Sequence, residues 1–241
     1  METKRIIWLA VVIMLAVGLN ASAGMIDLTT AGRVGPPVNG AFFSQATFDT
    51  STGTGVFKPF VRIQGKGIQQ GYNTSGELEW ETKSSIWTHP IQLSAIPVVG
   101  NFYEFRLDIN ENKGGDGELL SLDEIKIHIV SEVTGGALTD YDTNPSFGSP
   151  AWELGAGNWI KLNYALEPGS GNGDMIALIP ISALGTEGSS YVYLYSKFGV
   201  TEGFAEGFES DAGFEEWGVS IPEPATMVLL GFGSVLLRKR K

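Results

Sequence analysis

Tyr103-Glu104-Phe105-Arg106-Leu107-Asp108-Ile109 alternates apolar and charged residues without a break. A period of two belongs to a β-strand with one face buried and the other facing water. The same rhythm returns at Ile125, Ile127 and Ile129, with Lys126 and His128 between them, and at Ile160, Leu162, Tyr164 and Leu166 around Lys161 and Asn163. Tyr191 to Phe198 is aromatic-rich and β-prone. Further strands are expected at Ala41 to Phe48, Val56 to Gln64, Leu78 to Thr82, Met175 to Ile181 and Phe214 to Val219. Turns rich in Gly, Asn and Asp separate them: Gly65 to Gly71, Asn110 to Gly117 and Gly169 to Asp174. No long helical period interrupts this pattern, and no repeat of about 20 to 50 residues suggests a solenoid. The pattern predicts an all-β fold, a single antiparallel β-sandwich of jelly-roll type.

Composition agrees. A chain of 241 residues suits one all-β domain. Gly 32 and a charged fraction of only 18% imply many tight turns, while 43% hydrophobic residues are enough for a packed core. Cys 0 excludes thiol catalysis, thiolate zinc and disulfides, and His 2 leaves little for histidine chemistry.

The ends read differently from the middle. Lys4 and Arg5 precede an unbroken apolar run of 12 residues, Ile6 to Val17, and then Ala21-Ser22-Ala23. That order is a secretory signal peptide over residues 1–23, with Ala21 and Ala23 as the small residues read by signal peptidase and the secretion machinery as its partner. A transmembrane anchor would want about 18 apolar residues. At the other end Pro222-Glu223-Pro224 is followed by 13 uncharged residues, Ala225 to Leu237, and by Arg238, Lys239, Arg240 and Lys241. Two prolines around the glutamate hold the backbone extended and accessible. The basic quartet acts as a stop that stays cytoplasmic, which puts the body on the outer side of the membrane. As a helix the apolar run reaches about 20 Å, short of a hydrocarbon core of about 30 Å, so a transient hold is expected rather than a permanent span.

Pro222-Glu223-Pro224, the hydrophobic segment and the terminal basic cluster together resemble the PEP-CTERM sorting signal over residues 221–241. The resemblance implies an exosortase as processing partner, cleavage near Pro222 to Pro224, and release or attachment at the cell surface or in extracellular polymer. Ile221 stands where valine is frequent, and Gly231 and Gly233 weaken the helix. Body segments also resemble those of PEP-CTERM proteins of unassigned activity: Thr52-Gly53-Thr54-Gly55 with Phe60 to Gln64, Gln70 to Thr74, Leu120 to Glu124, Tyr193 to Ser196 and Gly213 to Trp217. The organisation expected is thus a signal peptide, a body over 24–220 and the sorting signal.

Between the two ends, residues 24–222 hold 25 Asp and Glu against 10 Lys and Arg. Such a body disfavours nucleic acid and anionic lipid, and favours divalent cations. In Asp108-Ile109-Asn110-Glu111-Asn112-Lys113-Gly114-Gly115-Asp116, oxygen-bearing side chains recur as in a calcium loop, at Asp108, Asn110, Asn112 and Asp116. Lys113 in place of the turn glycine and Leu119 in place of the bidentate glutamate exclude an EF-hand. A looser calcium site and an ordinary Asn/Asp turn both remain open.

Glu77, Glu79 and Glu81 would share a strand face, a solvated stripe or half of a glycosidase pair. Glu202 to Trp217 mixes carboxylates with Phe204, Phe208, Phe214 and Trp217, as a sugar site or as a loop pinned by its rings. Trp80, Trp87, Trp152 and Trp159 pose the same choice. His89 and His128 read as surface histidines. Asp49 to Gly53 has no second copy to make an aspartic-protease site, no G-x-S-x-G elbow is present, and Gly169 to Asp174 lacks the lysine of a phosphate loop. The expectation is a non-enzymatic exported protein of the cell surface or extracellular matrix. The alternative is a module binding extracellular polysaccharide, with a glycoside-active enzyme behind it.

Overall fold

The computed structural model describes residues 24–45, 57–73, 81–83, 86–133, 147–169, 171, 173–199 and 208–220, the side chain of Asp116 excepted. Both terminal signals lie outside this set, as do Glu77, Glu79, Trp80 and Glu202 to Glu206. Among the described residues no helix is long and apolar enough to cross a membrane.

Thirteen strands are described: β1 Met25–Asp27, β2 Phe42–Gln45, β3 Phe57–Ile63, β4 Gln69–Tyr72, β5 Ile91–Gln92, β6 Val98–Val99, β7 Phe102–Asp108, β8 Leu119–Val130, β9 Trp152–Glu153, β10 Trp159–Asn163, β11 Met175–Pro180, β12 Tyr191–Phe198 and β13 Glu215–Ser220. One sheet runs β1-β10-β8-β12-β4 and the other β2-β11-β7-β13-β3, with β5, β6 and β9 as short side pairs. With the β1 and β2 edges set aside, the eight principal strands stand in the orders first-eighth-third-sixth and second-seventh-fourth-fifth. That is the jelly roll, whose successive strands cross between the two sheets except at the fourth and fifth, which lie side by side in one sheet. All pairings but one are antiparallel; β1 lies parallel to β10.

The deciding stretch does what its period requires. Phe105 and Leu107 of β7 point into the core with no exposure, while Glu104 and Arg106 form an ion pair on the other face. Phe60 of β3 meets Phe105 edge to face, and Trp217 of β13 donates its indole N–H to Ser196 Oγ of β12 across the core at 3.0 Å. Each large side chain so buried contributes about 1.5–3 kcal/mol.

In β8 the inward positions are Leu120 and Leu122, then Ile125 and Ile127. The three-residue step marks a bulge: Phe198 of β12 pairs with Leu122 while Lys197 pairs with Glu124.

Four expectations shift. Tyr164 to Leu166 leave the strand as a 3-10 turn, and Gln69 to Gly71, read as part of a turn, belong to β4. Ala41 stands ahead of β2 as an isolated bridge to Val38; residues 46–48 and 78–80 of the strands expected at Ala41 to Phe48 and Leu78 to Thr82 lie outside the described set. His128 is buried rather than on the surface, against Phe147 at 5.4 Å between ring centroids. Phe147 also covers Tyr72 and Tyr193, closing a second apolar cluster on the outside of the sheet. Burial holds the imidazole pKa of His128 below its usual range.

Candidate functional site

The acidic residues nearest the end of β7 turn inward, each toward a different loop. Asp108 accepts the backbone N–H groups of Gly171 and Gly173, both at 2.8 Å, and the Asn110 amide at 3.2 Å. Its neighbour Asp174 accepts from the Ile109 N–H. Burial pushes the Asp174 carboxyl well above the usual carboxylate range, and the charges of Asp108 and Glu167 add to that, against the Ile109 bond. Glu111 accepts from the backbone N–H groups of Asp211 and Ala212 at 2.9 and 3.0 Å. That approach needs Gly213, whose φ is +75° and whose Cβ would run into the Asn110 carbonyl.

Glu215, with no exposure, accepts from the Gln69 amide. Burial, then the charge of Glu111 and a side-chain interaction with it, pushes its carboxyl well up. These perturbed carboxyls are sealed from solvent. A general acid must reach a substrate proton, so their arrangement serves the fold: they tie the loops at 108–112, 169–174 and 208–213 together.

The four residues of the calcium expectation, Asp108, Asn110, Asn112 and Asp116, are only partly described, and those that are described have the following surroundings. Both Asp108 oxygens accept backbone donors, Asn110 presents its amide nitrogen to Asp108, Asn112 is exposed, and the side chain of Asp116 is outside the described set. Among the described residues no group of three or more acidic or histidine side chains is placed to hold an ion. What the sequence reading missed is that Gly169 to Asp174, treated as a plain turn, is the loop that Asp108 binds. Glycines whose N–H groups are unshielded by Cβ were the available signal.

The aromatic candidates also turn inward. Trp152, Trp159, Trp217 and Phe208 are buried. Trp87 is half-buried, and the Arg62 guanidinium lies between it and Phe214, 3.9 and 4.1 Å from the two ring centroids, while pairing with Glu216 at 2.6 Å. Glu81 accepts the Gln70 N–H. His89 is half-buried with Nδ1 3.0 Å from the Pro90 carbonyl.

Among the clefts lined by described residues are two open ones. One of about 420 Å³ beside β9 is lined by Asp123, Glu124, Lys126, Glu153 and Asn158. Within it Glu124 pairs with Lys126 and Lys197, and Asp123 accepts from Ser121. The other, of about 480 Å³, opens at the opposite end of the sandwich from the acidic loops. It is lined by Lys58, His89, Gln92, Tyr191 and Ser220 among others, with no carboxylate among its described lining residues. Ser220 is the last residue of β13, paired with Phe57.

The last described strand, β13, ends at Ser220, immediately before the proline-bracketed glutamate, the uncharged run and the basic cluster of the sequence. Residues 220–241 match the PEP-CTERM protein-sorting motif, which directs export to the cell surface or extracellular space with processing by an exosortase. No curated protein and no solved structure matches the chain.

Proposed function

We propose that the chain is an exported structural or interaction protein of the cell surface or extracellular matrix. In this reading a signal peptide over 1–23 directs it out, an exosortase cuts it near Pro222 to Pro224, and the inner membrane holds it only transiently through residues 225–237. The body needs no catalytic role in this account. The observation that carries it is the position of the motif, which begins at Ser220, the last residue of β13, so the folded body and its address label abut without a linker. Deleting residues 221–241 tests it by fractionation of the producing cells: the deleted chain should lose its surface or matrix location, and an unchanged location overturns the proposal.

A second reading, binding of extracellular polysaccharide, draws support from the Trp87-Arg62-Phe214 stack, since half-buried rings beside a paired guanidinium can pack on a sugar. It requires glycan binding that Trp87→Ala abolishes.

A further inference from the structure

The distance between the folded body and the cut is fixed by the chain itself. Pro222 to Pro224 follow Ser220 by two to four residues, which even fully extended span no more than about 14 Å. Nor can β13 lengthen that tether easily. It lies between β7 and β3 in its sheet, and Trp217 and Val219 are buried in the core. Freeing Val219 alone would expose an apolar side chain that the core now buries. An enzyme that holds a peptide through several residues on either side of the cut must therefore touch the folded end of the sandwich.

That end is distinct in chemistry. Ser220 lines an open cleft whose basic members are Lys58 and His89, with the exposed Gln92 and the half-buried Tyr191 beside them. In a body so rich in carboxylates, a cleft with none among its described lining residues is a local exception. Glu132 follows β8 and Glu187 precedes β12 at this end, but neither lines the cleft. The buried acidic residues Asp108, Asp174, Glu111 and Glu215 sit at the far end, where β7 finishes and β13 begins.

We propose that the cleft formed by Lys58, His89, Gln92, Tyr191 and Ser220 is the surface the body presents to the exosortase during cleavage, with Lys58 meeting an acidic or carbonyl-rich patch of the enzyme. The inference rests on the processing reading above.

The test uses the full chain in its producing cells, with the ratio of uncut to cut protein followed by pulse-chase and immunoblot. Lys58→Glu should raise the uncut fraction at least about three-fold, whereas Lys66→Glu, the same charge change on an exposed residue near the far end, should leave it at the wild-type level. Inserting ten Gly/Ser residues between Ser220 and Ile221 separates cut from cleft, so in that background Lys58→Glu should have no further effect. Melting temperatures of the purified chains within about 2 °C of each other show that folding is not the cause. Equal processing of Lys58→Glu and wild type overturns the docking surface. A Pro222→Ala/Glu223→Ala/Pro224→Ala chain that is still matured overturns the processing reading instead, so the two failures are told apart.

Discussion

The two ends of the sandwich answer opposite demands. At the far end four carboxyl groups are folded inward and bonded by backbone N–H groups of neighbouring loops and by the Gln69 amide, so they hold those loops rather than face solvent. At the exit end a cleft with two basic residues, and no carboxylate among its described lining residues, stays open beside Ser220, where the sorting motif begins. An acidic composition therefore does not make an acidic binding site. What matters is which carboxylates still face solvent once the turns have closed.

The contrast breaks most sharply at Gly213. Valine there faces both a positive φ and the Asn110 carbonyl. A strained φ alone costs about 1–3 kcal/mol, and the collision adds to it, so Gly213→Val should lower the melting temperature by more than 10 °C or prevent folding, as read by calorimetry. A fully stable variant would show that the 211–213 turn does not rest on Asn110.

Asp108→Ala comes next. It strands the N–H groups of Gly171 and Gly173, each bond to a charged acceptor being worth about 1.5–3 kcal/mol. A change of about 3 kcal/mol corresponds to roughly 6–12 °C in a domain of this size. The drop should be the same in calcium and in chelator, because Asp108 serves backbone donors. A drop seen only in calcium would restore the ion.

Glu215→Gln has a smaller effect, and its sign depends on pH. The folded carboxyl titrates well above its ordinary value of 4.5. Below about pH 4.5 the folded and unfolded states both keep the proton and its stabilisation is whole. As pH rises, the unfolded state releases the proton while the folded state retains it, so stability declines until the folded group also titrates. Glutamine cannot titrate, and it can still accept from Gln69. Glu215→Gln should therefore match wild type near pH 4, melt a few degrees higher above pH 6, and be cut by the exosortase at the wild-type rate. A wild-type chain that gains stability between pH 5 and 8 relative to the variant would contradict this assignment.

Much of the framework was legible in letters because burial and alternation leave the same trace. Phe105 and Leu107 lie inside, and the jelly roll follows from such strands. Even the β8 bulge is written as a three-residue step between Leu122 and Ile125. The short edge strands β1, β5, β6 and β9 were not legible, because two or three residues cannot show a period. Gln69 to Gly71 was lost to its glycines: Gly71 packs against Thr82, where a side chain would not fit, rather than turning the chain. His128 broke the pattern because its outward face is covered from a distance by Phe147, which local alternation cannot register. For the candidate sites, side-chain type suggested a cation at Asp108, whereas the partners turned out to be backbone donors about 60 residues on.

Intact-mass spectrometry of protein recovered from the cell surface or matrix tests the central claim most directly. The account requires a chain that begins near Gly24 and ends between Pro222 and Pro224, at the edge of the exit cleft. A mass that still includes Arg238 to Lys241 would contradict it.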